Sequence, residues 1–132
     1  CRAGLAPNGA ALCADPRVEL VETDFFERAK HAVREPGRFH AILLDIDHSP
    51  TALLNEAHRR FYSPEGLHEA VAWLHADGVL AIWSNELPDP VFTAALREVF
   101  ADAAAHVVDF PSAEAERTAS NTVYVARKRS DQ

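Results

Sequence analysis

Residues 41–50 read Ala41-Ile42-Leu43-Leu44-Asp45-Ile46-Asp47-His48-Ser49-Pro50, and the fold follows from them. Four apolar residues end abruptly in two carboxylates, an imidazole, a hydroxyl and a proline. A short apolar run bounded by turn chemistry reads as a strand buried on both faces, and ligands of open α/β sheets bind beyond the carboxyl ends of such strands. Asp45, Asp47 and His48 therefore stand where chemistry is expected.

Outward from this stretch, strands and helices alternate. Val18 to Thr23 follows the turn-forming Asp15-Pro16 and reads as a first strand. Phe25, Phe26, Ala29, Ala32 and Val33 recur at helical spacing until Glu35-Pro36-Gly37 stops them. His40 to Asp47 is the second strand, and Thr51 to Phe61 reads as a loop with a helical turn or two. Ser63-Pro64-Glu65 opens a helix, with a capping hydroxyl and a proline at the first helical position. Leu67, Val71 and Leu74 form its buried stripe, and Asp77-Gly78 closes it. Val79 to Trp83 is a third buried strand. Asp89-Pro90 opens a helix with Phe92, Ala95, Leu96, Val99 and Phe100 on one face. His106 to Phe110 and Thr122 to Ala126 are the last strands, separated by a polar, mobile Pro111 to Ala119. Crossovers of helical length make the first three strands parallel, and the short final connection makes the last two antiparallel.

With 132 residues, 48% apolar and 25% charged, the chain has the size and composition of one globular domain. A net charge of −7 argues against nucleic acid or an anionic membrane as a partner, since both select basic surfaces. No apolar stretch approaches the roughly 18 residues that span a bilayer, so a cytoplasmic protein is expected. Cys1 and Cys13 read as free thiols. The chain contains no methionine, which leads us to expect further residues upstream.

Several blocks together resemble the spermidine synthase family. They are Asp15-Pro16-Arg17-Val18, Asp24-Phe25-Phe26, Phe39-His40-Ala41-Ile42-Leu43-Leu44-Asp45 and Phe61-Tyr62-Ser63-Pro64-Glu65-Gly66-Leu67. The resemblance implies an α/β, Rossmann-like class I methyltransferase sheet, three parallel strands plus a terminal antiparallel pair. It covers residues 15–128, after a leading helical segment (1–14) and before a short tail (129–132). The family's first two strands and glycine-rich loop have no counterpart, since Gly4, Gly9, Gly37, Gly66 and Gly78 are dispersed.

The resemblance implies an aminopropyl or methyl transferase that, when complete, binds S-adenosylmethionine or its decarboxylated form. Asp45 then orients and deprotonates the attacking amine, because in-line attack on a sulfonium-activated carbon needs an aimed, unprotonated nitrogen. Asp24 and Phe25 fall at the adenine of the nucleotide, although Asp24 is equally explained as a helix cap. Asp47, His48, Tyr62 and Trp83 fall on the substrate side, although Trp83 reads more readily as core packing. The family's second aspartate is His48 here, and an imidazole that can itself become cationic weakens a diamine site. The isolated chain is expected to bind no nucleotide and to be silent. It is expected to associate as a homodimer or with a missing amino-terminal segment, through an exposed sheet edge.

Three other readings fit parts of the same stretch. A degenerate module that only binds or oligomerises would keep the sheet without the cofactor half. A haloacid-dehalogenase-like phosphatase would use Asp45 as nucleophile and Asp47 as acid, yet needs a suitably placed lysine, and only Lys30 and Lys128 exist. A metal held by Asp45, Asp47 and His48 lacks further ligands, so no metal is expected. The remaining histidines, His40 included, read as scattered surface residues.

Overall fold

The computed structural model describes residues 9–111 and 118–130. In chain order the elements are α1 (Gly9–Ala14), α2 (Phe25–Ala29), β1 (Phe39–Leu44), α3 (Pro64–Trp73), β2 (Leu74–Ser84), α4 (Pro90–Val99), β3 (Asp102–Pro111) and β4 (Thr118–Arg127). Short 3-10 segments cover Ala32–Arg34 and Glu56–Tyr62. The protein is thus α/β, with one open, mixed, four-stranded sheet in the order β1-β2-β4-β3. β1 and β2 are parallel, while β4 runs antiparallel to both β2 and β3.

Local signals set the helix starts as expected. Ser63 Oγ accepts from Gly66 N at 3.4 Å and Asp89 Oδ1 accepts from Phe92 N at 2.6 Å, each ahead of a proline in the first turn. The final hairpin is antiparallel, also as expected. Its connection, within the segment read as mobile, lies at 112–117, outside the described residues, as does Cys1. Cys13 is exposed on α1.

Four expectations change. Val18 to Thr23 joins no ladder, so the sheet has one parallel pair rather than three parallel strands. Strand-forming residues become a strand only against a neighbouring edge. The helix expected from Phe25 to Val33 ends at Ala29 and resumes as a 3-10 turn, with Arg34 N donating to His31 O at 2.9 Å. Asp77-Gly78 does not close α3, which ends at Trp73. It lies in an irregularity of β2, with Asp77 at φ 61°, where the register to β1 jumps from Phe39↔Leu74 to Ala41↔Val79.

The fourth correction concerns burial. Ile42, Leu44, Leu80, Ile82, Tyr124 and Ala126 are buried with Leu67, Val71, Phe92, Leu96 and Val99 of α3 and α4. The alternating residues on the opposite face are not covered: Leu43 is 79% exposed, and Ala81, Trp83, Val123 and Val125 are partly exposed. The strands are therefore covered on one face, not on both. Side chains alternate across a strand, so an apolar run alone does not reveal this.

The start of α3 sits hard against the preceding 3-10 segment. A Cβ at Gly66 would lie 2.1 Å from Arg60 O and 2.6 Å from Phe61 Cα, both backbone atoms that cannot swing away. Gly66→Ala is expected to lower stability by at least about 2 kcal/mol through this overlap, measured as a shift in the urea midpoint. An unchanged midpoint would contradict the close approach.

Candidate functional site

The carboxyl ends of β1 and β2 carry the candidate site. Backbone hydrogen bonding ties the two tips together, with Asn85 N donating to His48 O at 2.7 Å. Asp45 is exposed at the tip of β1. With Leu43, Ala81, Trp83 and Val123 it lines a cavity of about 240 Å³ on the uncovered face of the sheet. Trp83 Nε1 donates to Asn85 Oδ1 at 3.3 Å, which fixes the indole at this wall. His48 is exposed in the following loop.

Asp47 points the other way. Its side chain has no exposure and accepts from Leu54 N at 2.7 Å, His58 Nδ1 at 2.9 Å and Tyr62 OH at 3.0 Å. A buried carboxylate needs such donors, and these three give both of its oxygens a partner. His58 in turn stacks on Phe26, ring centroids 3.8 Å apart. The loop after β1 is thereby pinned to the helix layer, and Asp47 with Tyr62 forms a structural hub rather than an open surface.

The hydroxyls around the tips hold the second strand end. Thr51 Oγ1 donates to Glu86 Oε2 at 3.0 Å, and Thr122 Oγ1 donates to Glu86 O at 2.6 Å. Hydrogen bonds from Ser49 and Thr51 hold the exposed Glu86 carboxyl below its ordinary value. Asp89 N donates to Tyr124 OH at 2.7 Å, anchoring the start of α4 to β4.

Asp24 caps α2, accepting from Glu27 N at 3.0 Å. Phe25 packs edge-on against Phe26 and Phe61 and lines a second cavity, beside β1, with Arg28, Phe39 and Trp73. The structure thus brings Asp45 and Trp83 to one cavity, binds Asp47 to Tyr62 in the interior, and leaves Asp24 and Phe25 at the start of α2. Lys128 is buried and donates to Leu74 O at 2.8 Å, at the end of β2 opposite the tips. Among the described residues no group of three or more His, Cys, Asp or Glu is placed to hold a metal, and no helix is long and apolar enough to cross a membrane.

His58, read as a surface histidine, is instead the partner of Asp47. The available signal was its spacing from Tyr62, four residues along a segment of helical character, which places both on one side. No protein-family model matches the chain, and a search of curated proteins finds no match.

Removal of the Asp47 carboxylate would leave the buried Tyr62 hydroxyl, and the part-buried Leu54 N and His58, without their acceptor. Asp47→Ala is expected to cost about 3 kcal/mol in denaturant unfolding, and a loss under about 1 kcal/mol would contradict the hub. The hub also sets an alkaline limit. Burial, then the Asp47 charge and its hydrogen bond, push the Tyr62 phenol well above its ordinary value of 10.0. Because the folded state favours the protonated phenol, its contribution is complete below pH 10 and falls as pH rises beyond it. Thermal melts through this range should show a steeper alkaline loss in the native chain than in Tyr62→Phe. Equal slopes would count against a buried phenol.

Proposed function

We propose that this chain is the acceptor-side part of a spermidine-synthase-like transferase with a class I methyltransferase fold. The observation that carries the reading is Asp45: an exposed carboxylate at the tip of a parallel strand, beside a cavity on the open face, in a sheet that ends in an antiparallel pair. In the complete protein the glycine-rich, nucleotide-binding part would come from a segment outside these residues. It would hold S-adenosylmethionine or its decarboxylated form, whose sulfonium supplies the activated carbon.

On this reading Asp45 takes the proton of the incoming ammonium and aims the freed nitrogen. A sulfonium nucleotide, if bound, would supply the carbon to which the freed nitrogen bonds as its carbon–sulfur bond breaks, and would leave as a neutral thioether. Trp83 walls the acceptor on one side. His48, exposed in the loop after β1, replaces a second carboxylate, which favours acceptors with a single ammonium over a diamine held at both ends. Asp47 and Tyr62 support the loop from within rather than touch substrate.

Calorimetric titration with S-adenosylmethionine, its decarboxylated form and methylthioadenosine is expected to show no binding to this chain alone. Titration with a primary amine, followed by backbone NMR, is expected to shift the amides of the β1 tip and of Trp83, and Asp45→Asn is expected to abolish those shifts. Micromolar nucleotide affinity would overturn the division of the site. Amine shifts unaffected by Asp45→Asn would overturn the role of Asp45.

A further inference from the structure

Two histidines that the transferase reading does not use meet at the end of the sheet opposite the tips. His40 lies on β1 and His75 near the start of β2, with ring centres 4.3 Å apart and planes tilted by 35°. His40, expected to stand alone on the surface, thus has an imidazole neighbour. The contact falls between two paired strands, where the register jumps from Phe39↔Leu74 to Ala41↔Val79.

The backbone beneath the pair is pinned from both sides. Gly37 N donates to Ala72 O at 2.9 Å and Arg38 N to Trp73 O at 2.7 Å, on the approach to β1. Lys128 Nζ donates to Leu74 O at 2.8 Å and Lys128 N to Gly78 O at 2.9 Å, which brackets His75. The turn between them is tight, since a Cβ at Gly78 would lie 2.9 Å from His75 O. The rings themselves are unengaged. Among the described residues neither has a hydrogen-bond partner, with His40 exposed and His75 partly buried, whereas the His58 imidazole is taken up by Asp47.

We propose that His40 and His75 together bind one divalent first-row transition ion, of the nickel or zinc kind, with water completing its coordination. Imidazole nitrogen suits such ions. Two imidazoles bound side by side on one ion, each nitrogen about 2.0–2.1 Å from it, have ring centres roughly 4.5–5 Å apart. The observed 4.3 Å reaches that geometry by small ring rotations, and the pinned backbone holds the two side chains ready for it. Calcium and magnesium are excluded by the donor set, because they need carboxylate oxygens. The nearest carboxylate in sequence, Asp77, accepts from Ser130 Oγ at 2.9 Å and lies 3.8 Å from Arg127. With two protein ligands rather than four, the ion exchanges with solvent and fastens the start of β1 to the junction of α3 and β2. The inference goes beyond the transferase reading and uses none of its residues.

Titration of the untagged 132-residue chain with Ni²⁺ alone, followed by backbone NMR and by thermal melts, tests it. Paramagnetic broadening is expected to centre on the amides around His40 and His75, and the melting midpoint to rise with Ni²⁺ concentration. His40→Gln and His75→Gln are each expected to weaken the affinity at least about tenfold and to remove the rise in midpoint, with unchanged far-ultraviolet dichroism. The broadening is read on the native chain, so it decides the case even where a substitution unfolds the protein. Broadening centred on His31, His48, His68, His106 or Cys13 would overturn the proposal. So would an affinity that either substitution leaves unchanged, as from a single imidazole, or the absence of saturable binding, as from a ring contact alone.

Discussion

The helices that cover the sheet, α3 and α4, lie on one face of it, and the rest of the structure depends on that one-sidedness. It splits each central strand into a buried series and an exposed series. Ile42, Leu44, Leu80, Ile82, Tyr124 and Ala126 join the helices, while Leu43, Ala81, Trp83, Val123 and Val125 face outward. Apolar burial is the main favourable term in folding, so α3 and α4, with Leu67, Val71, Phe92, Leu96 and Val99 at under 4% exposure, hold the sheet together. The other face is left available for ligand or protein, and the cavity beside Asp45 and Trp83 opens there.

The same division explains why two acidic residues separated by one position do different work. Asp45 lies at the end of β1 and stays in solvent. Asp47 turns inward and gathers Leu54 N, His58 and Tyr62. Because the three donors all come from the loop between β1 and α3, one carboxylate orders most of that loop. The loop then links sideways to β2 through His48 O and Asn85 N, and through Thr51 and Glu86. Tip geometry is therefore maintained by an interior polar cluster rather than by the apolar core alone.

Local chemistry made much of this legible in the sequence. The starts of α3 and α4 follow from Ser63-Pro64 and Asp89-Pro90, because capping and proline placement act within one turn. β1 follows from a compact apolar run, and the final antiparallel pair from a short connection. What failed depended on distant partners. Val18 to Thr23 has strand composition, but a ladder needs a neighbour. Asp77-Gly78 is turn chemistry that serves a strand irregularity as well as a helix end. Nothing in Asp45-Ile46-Asp47 states which carboxylate is buried, since that is decided by His58 and Tyr62 on a later segment. Asp45 and Trp83 meet at one cavity because β1 and β2 pair in parallel, whereas Asp24 and Phe25 fall at a separate place on α2.

The two tryptophans of the chain sit on opposite sides of the one-sided sheet, so acrylamide quenching of their fluorescence tests it most directly. Trp73 is 3% exposed within the core cluster, and Trp83 lines the open-face cavity. Measured one at a time, in Trp83→Phe and Trp73→Phe chains, Trp83 should quench severalfold more readily than Trp73. Equal protection of both indoles would contradict a sheet covered on a single face.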